Sequence, residues 1–180
     1  TRVFSQAKDP KSLASCNNFD FESGYTGWSG QAWNFVSTTT FVTTPTPPYH
    51  KLMGAGFDNI IPPLSTLAPS GGTQSAMIGL PNPGSQEYWI NQTFVVSAAN
   101  PVYVYQHAVV FKDLDQFSPP HSSAQQNYFE VLFTDQNGDT IPCGYSKVLV
   151  SQATPANGFQ PYIYTDPNQS PPNNQIPHLW

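Results

Sequence analysis

Short runs of alternating apolar and polar residues recur along this chain and predict β-strands. The most apolar run is Val102–Lys112. Because both of its faces are largely apolar, it is typical of a central strand that is covered on both sides. Tyr128–Thr134 also alternates, and the Asp135–Gly138 segment after it carries the Asn-Gly turn signal that predicts a hairpin.

Weaker runs of the same kind extend the pattern over most of the chain. They are Arg2–Ser5, Trp28–Ser37, Tyr49–Leu52, Ser75–Leu80, Tyr88–Ser97, Thr140–Pro142, Tyr145–Gln152 and Tyr162–Tyr164. Short strands that recur at this spacing are typical of two antiparallel sheets that pack as a β-sandwich. Two long connections, Pro45–Gly72 and Asp113–Asn127, are expected to be surface loops.

A further strand is predicted near the start of the chain, within Asn17–Gly30. Phe19 and Phe21 predict its apolar face. Asp20 and Glu22 alternate with them and predict a polar face, as in a half-buried strand. Two glycines and a tryptophan follow, which predicts a turn that ends in a second large apolar anchor.

The composition favours an all-β protein. Charged residues make up only 9% of the chain, whereas aromatic residues make up 14%, and there are 19 prolines and 12 glycines. Such a chain has many turns and few helices, and its polar surface consists mainly of Ser, Thr, Asn and Gln. Aromatic packing and backbone ladders, rather than ion pairs, are therefore expected to hold the fold together.

The charge balance excludes several partners. The formal net charge is −5, and the whole chain holds six Lys and Arg residues, too few for a surface that tracks phosphates. We therefore expect neither nucleic acid nor an anionic membrane surface as a partner. No apolar run approaches the roughly 20 residues of a membrane span, so membrane insertion is not expected either. We expect no signal peptide at the start of this segment, and we expect the chain to be processed or to be part of a longer protein.

The length of 180 residues suits one domain. We expect a linker at residues 1–13, a β-sandwich domain at residues 14–165 and a segment rich in Pro and Asn at residues 166–180. That last segment does not carry enough apolar surface to fold alone. The apolar residues that end in Trp180 are typical of the beginning of a strand, so the sheet is expected to continue beyond them.

The two cysteines, Cys16 and Cys143, lack the CxxC spacing of a zinc ribbon or a thioredoxin-type motif. In an oxidising compartment, a bridge between them would close a long loop and stabilise the fold by about 4–5 kcal/mol in the chain-entropy model. Two buried thiols, or cysteines whose partners lie outside this segment, are the alternatives.

Three segments, taken in order, carry a resemblance to a known class of surface proteins. They read Asn-Asn-Phe-Asp-Phe-Glu-Ser-Gly-Tyr-Thr-Gly-Trp at 17–28, Tyr-Val-Tyr-Gln-His-Ala-Val-Val-Phe-Lys-Asp at 103–113, and Tyr-Phe-Glu-Val-Leu-Phe-Thr-Asp-Gln-Asn-Gly-Asp-Thr-Ile-Pro-Cys-Gly at 128–144. Over residues 14–165 the chain resembles modules of the large cell-surface adhesins of gliding Bacteroidetes, which the type IX secretion system exports. Its opening is also similar to the first strand of jelly-roll domains in secreted carbohydrate-binding and adhesion proteins.

The resemblance implies a fold and a function. The fold is a jelly-roll sandwich of the galactose-binding or concanavalin-like type, with C-terminal strands missing from this segment, so that another chain or a C-terminal segment completes the sheet. The function is that of an extracellular, non-catalytic binding or spacer module of a surface adhesin, in cell-surface adhesion or gliding motility. The alternative is a carbohydrate-binding module of a secreted hydrolase.

No catalytic site is predicted. The four histidines fall on separate segments, and no Gly-x-Ser-x-Gly motif is present, so a nucleophile and its base are not placed together. The glutamates Glu22, Glu87 and Glu130 each alternate outward on a strand. A positioned carboxylate pair for glycoside hydrolysis is therefore not expected.

Binding is the chemistry that the residues favour, and the expected partner is a polysaccharide or a surface protein. Tyr49, Trp89 and Asn91 are candidates for a sugar platform, because sugars stack on aromatic faces and bond to amides; the alternative is that the rings belong to the core. Asp20 and Glu22 beside a glycine turn resemble the structural calcium site of some jelly-roll sugar-binding modules, and calcium prefers carboxylate and carbonyl oxygens. Ordinary solvated acids are the alternative there.

Overall fold

The computed structural model describes residues 2–7, 18–34, 39–40, 44–68, 72–80, 86–96, 103–112, 122, 125–171 and 175–180. These residues are mostly in strands and turns, and their helical content is confined to short 3-10 turns such as Val150–Gln152 and Pro155–Asn157. The predicted all-β class is therefore confirmed.

Eleven strands are defined in the described residues. In chain order they are β1 Arg2–Ala7, β2 Ser29–Asn34, β3 Thr39–Thr40, β4 His50–Met53, β5 Ser75–Ile78, β6 Gln86–Asn91, β7 Tyr105–Lys112, β8 Tyr128–Thr134, β9 Thr140–Leu149, β10 Pro161–Thr165 and β11 Gln175–Leu179. The strand pairs described below are antiparallel, as predicted. The strands belong to two compact units, an N-terminal unit at Arg2–Ala108 and a C-terminal unit at Val109–Trp180.

The N-terminal unit contains two small sheets. In the first sheet β5 lies between β1 and β4, and Ile78 of β5 faces His50 of β4. In the second sheet β2 lies between β3 and β6, and Trp33 of β2 faces Thr40 on one side and Glu87 on the other. The β2–β6 pairing is continuous over the full length of both strands.

The predicted strand Phe19–Glu22 is wrong, because residues 19–27 form successive turns. Asn18 and Phe21 both have left-handed backbone conformations, with φ of 56° and 62°, which lie outside the β region. The alternation did identify Phe21 as an apolar residue that is buried. Phe21 is 1% exposed, and its ring stacks on that of Trp28 at a centroid distance of 4.8 Å.

The side chain of Asn18 holds this N-terminal turn together. Its amide nitrogen donates to the carbonyl oxygens of Gly24 at 2.8 Å and Thr26 at 3.0 Å. Its amide oxygen accepts the N–H of Ser23 at 2.7 Å, and its own carbonyl accepts the indole N–H of Trp28 at 2.9 Å. These local bonds give partners to backbone groups that would otherwise pair with a neighbouring strand. They explain why this short alternating run forms a turn.

The C-terminal unit is built around Phe111 of β7, which is 0% exposed. Its core consists of Val109, Phe111, Val150 and Ala153, against which Phe129, Val148, Phe159 and Leu179 pack. Phe159 stacks on Phe111 with ring centroids 5.8 Å apart. Val110 is also buried, so that consecutive residues of β7 are covered on both faces, as the apolar run predicted.

β8 and β9 form a long hairpin, which confirms the predicted strand Tyr128–Thr134 and the turn after it. The carboxylate of Asp135 accepts the N–H groups of Asn137 at 2.8 Å and Asp139 at 3.0 Å. These bonds hold the pKa of Asp135 below its usual range. Gly138 has a φ of 86°, a conformation that favours glycine.

β9 is longer than predicted. It runs unbroken over Thr140–Leu149, whereas the pattern indicated separate strands at Thr140–Pro142 and Tyr145–Gln152. Phe133 lies directly over Gly144, where an added Cβ would be 2.7 Å from the Cβ of Phe133. Gly144 is therefore the position at which the opposite side chain is accommodated within the continuous strand.

The segment rich in Pro and Asn at residues 166–180 contains a strand. β11 pairs with β10 over five residues and with the end of β7, where Leu179 faces Phe111. Gln160 and Trp180 exchange two backbone hydrogen bonds, at 2.6 and 3.0 Å. The strand-like character predicted for the apolar residues before Trp180 is thus confirmed.

Several predictions fall outside the described residues. Cys143 lies exposed on β9, but Cys16 is not among the described residues, so a bridge between them stays a prediction. Most of the predicted loop Asp113–Asn127, including His121, lies outside them too.

Replacing Phe111 by alanine should lower the free energy of unfolding of the C-terminal unit by about 3–5 kcal/mol, because it removes a fully buried aromatic ring. The matched control is Ile163→Ala on β10, whose side chain is 62% exposed and whose loss should cost under about 0.5 kcal/mol. Urea unfolding, monitored by hydrogen exchange of the amides of the C-terminal unit, measures the loss of unfolding free energy in both variants. Equal losses in the two variants would mean that the core is assigned to the wrong residues.

Candidate binding site

The three residues predicted to bind a sugar do not share one face. Trp89 and Asn91 are two positions apart on β6 and project from the same face, with Trp89 half-buried and Asn91 exposed. Tyr88 projects from the opposite face, and the Tyr49 ring stacks on it with centroids 5.5 Å apart. The three residues therefore do not form a single platform, and a binding role for each of them stays a prediction.

Asp20 and Glu22 lie in the N-terminal turn, where Glu22 already has partners. Its carboxylate accepts hydrogen bonds from the N–H of Thr73, from the Thr73 hydroxyl at 2.5 Å and from the N–H of Gln74 at 3.1 Å. The Asp20 carboxylate accepts the N–H of Glu22 at 3.2 Å. The bond from the Thr73 hydroxyl is the main reason that the pKa of Glu22 is lowered. Glu22 thus ties the turn to the residues that precede β5.

Within the described part of the chain, no three His, Cys, Asp or Glu side chains converge to form a metal site. Asp20 and Glu22 are the residues that could hold a calcium ion, since carboxylate oxygens are its preferred ligands. To do so, Glu22 would exchange its donors on Thr73 and Gln74 for the ion. The calcium site stays a prediction.

The connection after β4, Gly54–Ala68, is an ordered loop with a small core of its own. This is the second half of the predicted loop Pro45–Gly72, in which β4 is an interruption that the sequence pattern placed at Tyr49–Leu52. The residues of the loop core are Asp58, Ile60, Ile61, Leu64 and Thr66, each of them 9% exposed or less. A loop that buries so many of its side chains is held in one conformation.

Asp58 is the centre of this loop. One oxygen of its carboxylate accepts the N–H groups of Ile60 and Ile61, both at 2.8 Å. Its own N–H donates to the carbonyl of Leu64, also at 2.8 Å. Because Ile60 and Ile61 are buried, their N–H groups would otherwise lose water without gaining a partner.

Thr66 joins the two ends of the loop. Its hydroxyl donates to the carbonyl of Gly54 at 2.6 Å, and its N–H donates to the carbonyl of Gly56 at 3.0 Å. The hydroxyl of Ser75, the first residue of β5, donates to the Thr66 carbonyl at 2.5 Å. The loop is therefore closed on itself and fixed to the first sheet.

Phe57 is displayed on the outside of this closed loop. It is 70% exposed, although its backbone forms an antiparallel bridge with Ser65. The residues before it are small and exposed, and a side chain at Gly54 would meet nothing within 4 Å. Asn59 and Ser65 are exposed polar neighbours in the same loop. Asp58, the one charged residue of Gly54–Ala68, is buried, so the outer surface of the loop carries no formal charge.

The exposed position of Phe57 is not indicated by the alternation of apolar and polar residues. Prolines and glycines interrupt every alternation in this part of the predicted loop Pro45–Gly72. The available signal was an Asp after a Gly-x-Gly segment and before two isoleucines, since Asp favours side-chain bonds to the backbone just after it. That signal indicates a fixed turn, but it does not indicate which side chain faces water.

A row of aromatic rings in the N-terminal unit is a weaker candidate. The rings of Phe94, Tyr103, Tyr105 and His107 stack in sequence, with centroid distances of 5.1, 6.0 and 5.3 Å. Phe19 meets both Phe94 and Tyr103 edge-on at 5.1 Å. Rings that stack in this way cover part of each other's faces, so less of each face is open to a sugar than at Phe57.

Comparisons with known proteins assign no function to this chain, so a functional proposal rests on the geometry of the loop. No protein-family model, no curated protein and no solved structure matches this chain. Among the described residues, no helix is long and apolar enough to cross a membrane.

Gly72 and Glu22 provide a test of the contacts in the N-terminal turn. A Cβ at Gly72 would overlap the Glu22 carboxylate, so Gly72→Ala should displace it from Thr73. Glu22→Ala removes the same bonds, and each variant should lower the free energy of unfolding by about 1 kcal/mol. The double variant should cost no more than either single one, because both changes remove one set of bonds. Additive losses in urea unfolding would contradict the contact.

The same contact predicts an acid dependence. Because the folded-state pKa of Glu22 is lowered from 4.5, its stabilisation is fully present above that pH and is lost as the pH falls through the folded pKa. Glu22→Ala should therefore flatten this part of the stability curve, and a curve as steep as that of the wild type in urea unfolding would contradict the contact.

Proposed function

We propose that this chain is an extracellular, non-catalytic binding or spacer module of a large cell-surface adhesin, and that it binds a neutral glycan through the loop Gly54–Ala68. The observation that carries the proposal is Phe57, an exposed aromatic ring on a loop whose backbone is fixed by buried hydrogen bonds. Contact with a ligand would remove the Phe57 ring from water, which is favourable in proportion to the apolar area that is covered.

The fixed backbone supports a recognition role. A loop that is already in its binding conformation does not lose conformational entropy when a ligand arrives, so more of the contact energy appears as affinity. The bonds of Asp58 and Thr66 provide this pre-organisation for Phe57.

The chemistry of the loop surface favours a neutral sugar. The ring of Phe57 suits the apolar face of a pyranose, and the exposed amide of Asn59 suits its hydroxyl groups. The hydroxyl of Ser65 already bonds to the backbone of Leu67 and helps to fix the loop. An anionic glycan is disfavoured because the loop exposes no cation and the chain has a net charge of −5.

The cellular context rests on the sequence resemblance. The order of three segments resembles modules of gliding Bacteroidetes adhesins, which supports export by the type IX system, a location at the cell surface and a role in adhesion or gliding motility. The antiparallel β architecture is compatible with the jelly-roll sandwich that we propose for this chain. In the adhesin, another chain or a C-terminal segment would complete the sheet, and a calcium ion on Asp20 and Glu22 would be structural.

The test is a glycan array followed by titration calorimetry on the best neutral ligand. Phe57→Ala should weaken binding by roughly tenfold or more, because one exposed anchor carries most of such a contact. Phe57→Trp should retain binding, since it keeps a flat ring in the same place.

The control is Val96→Ala, which truncates another exposed apolar side chain of the same unit, 63% accessible, and should leave both stability and affinity unchanged. If no neutral glycan binds the wild-type protein, or if Phe57→Ala binds as well as the wild type, glycan recognition by this loop is excluded. The module would then act through a protein partner or as a spacer.

A further inference from the structure

His50 is completely buried at the point where the two sheets of the N-terminal unit meet. It is the first residue of β4 and is 0% exposed. Its Nε2 lies 3.0 Å from the carbonyl oxygen of Trp89, which belongs to β6 in the other sheet. On the side of β2, a Cβ at Gly30 would lie 3.2 Å from Nε2 and 3.0 Å from the Cγ of Pro45. The imidazole therefore fills a close-fitting space.

The hydrogen bond identifies the tautomer. A carbonyl oxygen can only accept, so Nε2 of His50 carries the proton and donates to Trp89. Nδ1 is then the unprotonated nitrogen, and it is buried with no hydrogen-bond partner among the described residues. The ring is held as a neutral imidazole whose second nitrogen faces the interior.

Burial disfavours the charged form of this ring. Desolvation lowers the pKa of His50 below its ordinary value of 6.5, and backbone groups of Trp89, Thr46 and Gln31 oppose that effect only in part. At neutral pH the ring is therefore uncharged.

Few other ionisable groups lie on the surrounding elements. β2, β5 and the turn at 45–48 carry no titratable side chain. Tyr49 and Lys51 flank His50 in sequence, and β6 contributes Glu87 and Tyr88. Burial and the neighbouring Tyr49 raise the pKa of Tyr88 to about 12, so Tyr88 stays neutral in acid.

We propose that His50 is a pH-sensitive clasp between the two sheets: proton uptake in mildly acidic solution weakens the contact of β4 with β6 and thereby loosens the loop Gly54–Ala68. An added proton on Nδ1 would place a charge in a space built for a neutral ring. β4 ends at Met53 and the loop begins at the next residue, so displacement of β4 reaches Thr66 and Phe57 through the closure at Gly54. The expected effect on glycan binding by this loop rests on the proposed function, whereas the expected effect on stability does not.

The sign follows from linkage. Because the folded-state pKa is lower than the unfolded one, the unfolded chain binds more protons below pH 6.5. The stabilisation by neutral His50 is complete above that pH and declines as the pH falls below it. One proton changes the unfolding equilibrium by at most about tenfold per pH unit.

The experiment measures urea unfolding from about pH 7.5 to about pH 5.5 in the wild type, His50→Gln, His107→Gln and the double variant. The glutamine amide can still donate to Trp89 but does not titrate in this range. We expect the unfolding midpoint of the wild type to fall with pH and that of His50→Gln to fall less steeply. Burial lowers the pKa of His107 as well, so His107→Gln should also lose part of the slope, and the double variant should be flatter than either single variant. A level wild-type curve, or a His50→Gln curve as steep as that of the wild type, would overturn the proposal.

A second measurement covers the case in which His50→Gln does not fold. Nuclear magnetic resonance of the wild-type imidazole should show that His50 does not titrate near its ordinary value while the protein is folded, and an ordinary titration would overturn the clasp. Neutral-glycan binding is then compared at about pH 7.5 and about pH 5.5. Weaker binding in acid supports the link to the loop, and equal binding refutes it. If no glycan binds at all, the proposed function fails while the stability result still decides the clasp.

Discussion

The structure depends on hydrogen bonds with which polar side chains capture backbone groups outside the strands. A buried N–H group without a partner costs about 1–3 kcal/mol, and the loop Gly54–Ala68 buries two of them in succession, at Ile60 and Ile61. Asp58 removes that cost by accepting both. Once the backbone is fixed in this way, the loop interior is apolar and the adjacent residue, Phe57, is directed to the outside. The exposed position of Phe57 therefore follows from a buried carboxylate that supports the loop from inside.

Polar side chains bond to the backbone in the same way in three other connections of the described residues. Asn18 satisfies three backbone groups of the N-terminal turn, Glu22 holds the residues before β5, and Asp135 closes the β8–β9 hairpin. With charged residues at only 9% of the chain, acids used in this way are not available for ion pairs. Local bonds from side chains to the backbone order the connections between strands. They do so in a chain that is rich in proline and glycine and poor in ion pairs.

The strands could be predicted from sequence where alternation was long or a turn signal fixed the register. Tyr128–Thr134 and the turn after it were identified because both signals agree there, and the apolar run of β7 predicted its covered faces. Phe19–Glu22 was misassigned because four alternating residues fit a turn equally well once Asn18 bonds to the backbone. The exposure of Phe57 could not be predicted, since it results from which neighbours the loop buries. The burial of His50 beside the Trp89 carbonyl depends on the pairing of distant strands, which no local pattern contains.

The most direct test of this account is native-state hydrogen exchange at the amides of Ile60 and Ile61. If the Asp58 carboxylate accepts both groups in a closed loop, these amides should exchange far more slowly than the exposed amides of Gly54 and Ala55, and Asp58→Ala should abolish that protection without unfolding β8 and β9. Exchange of Ile60 and Ile61 at the rate of an unstructured chain would contradict the account, because Phe57 would then have no fixed support.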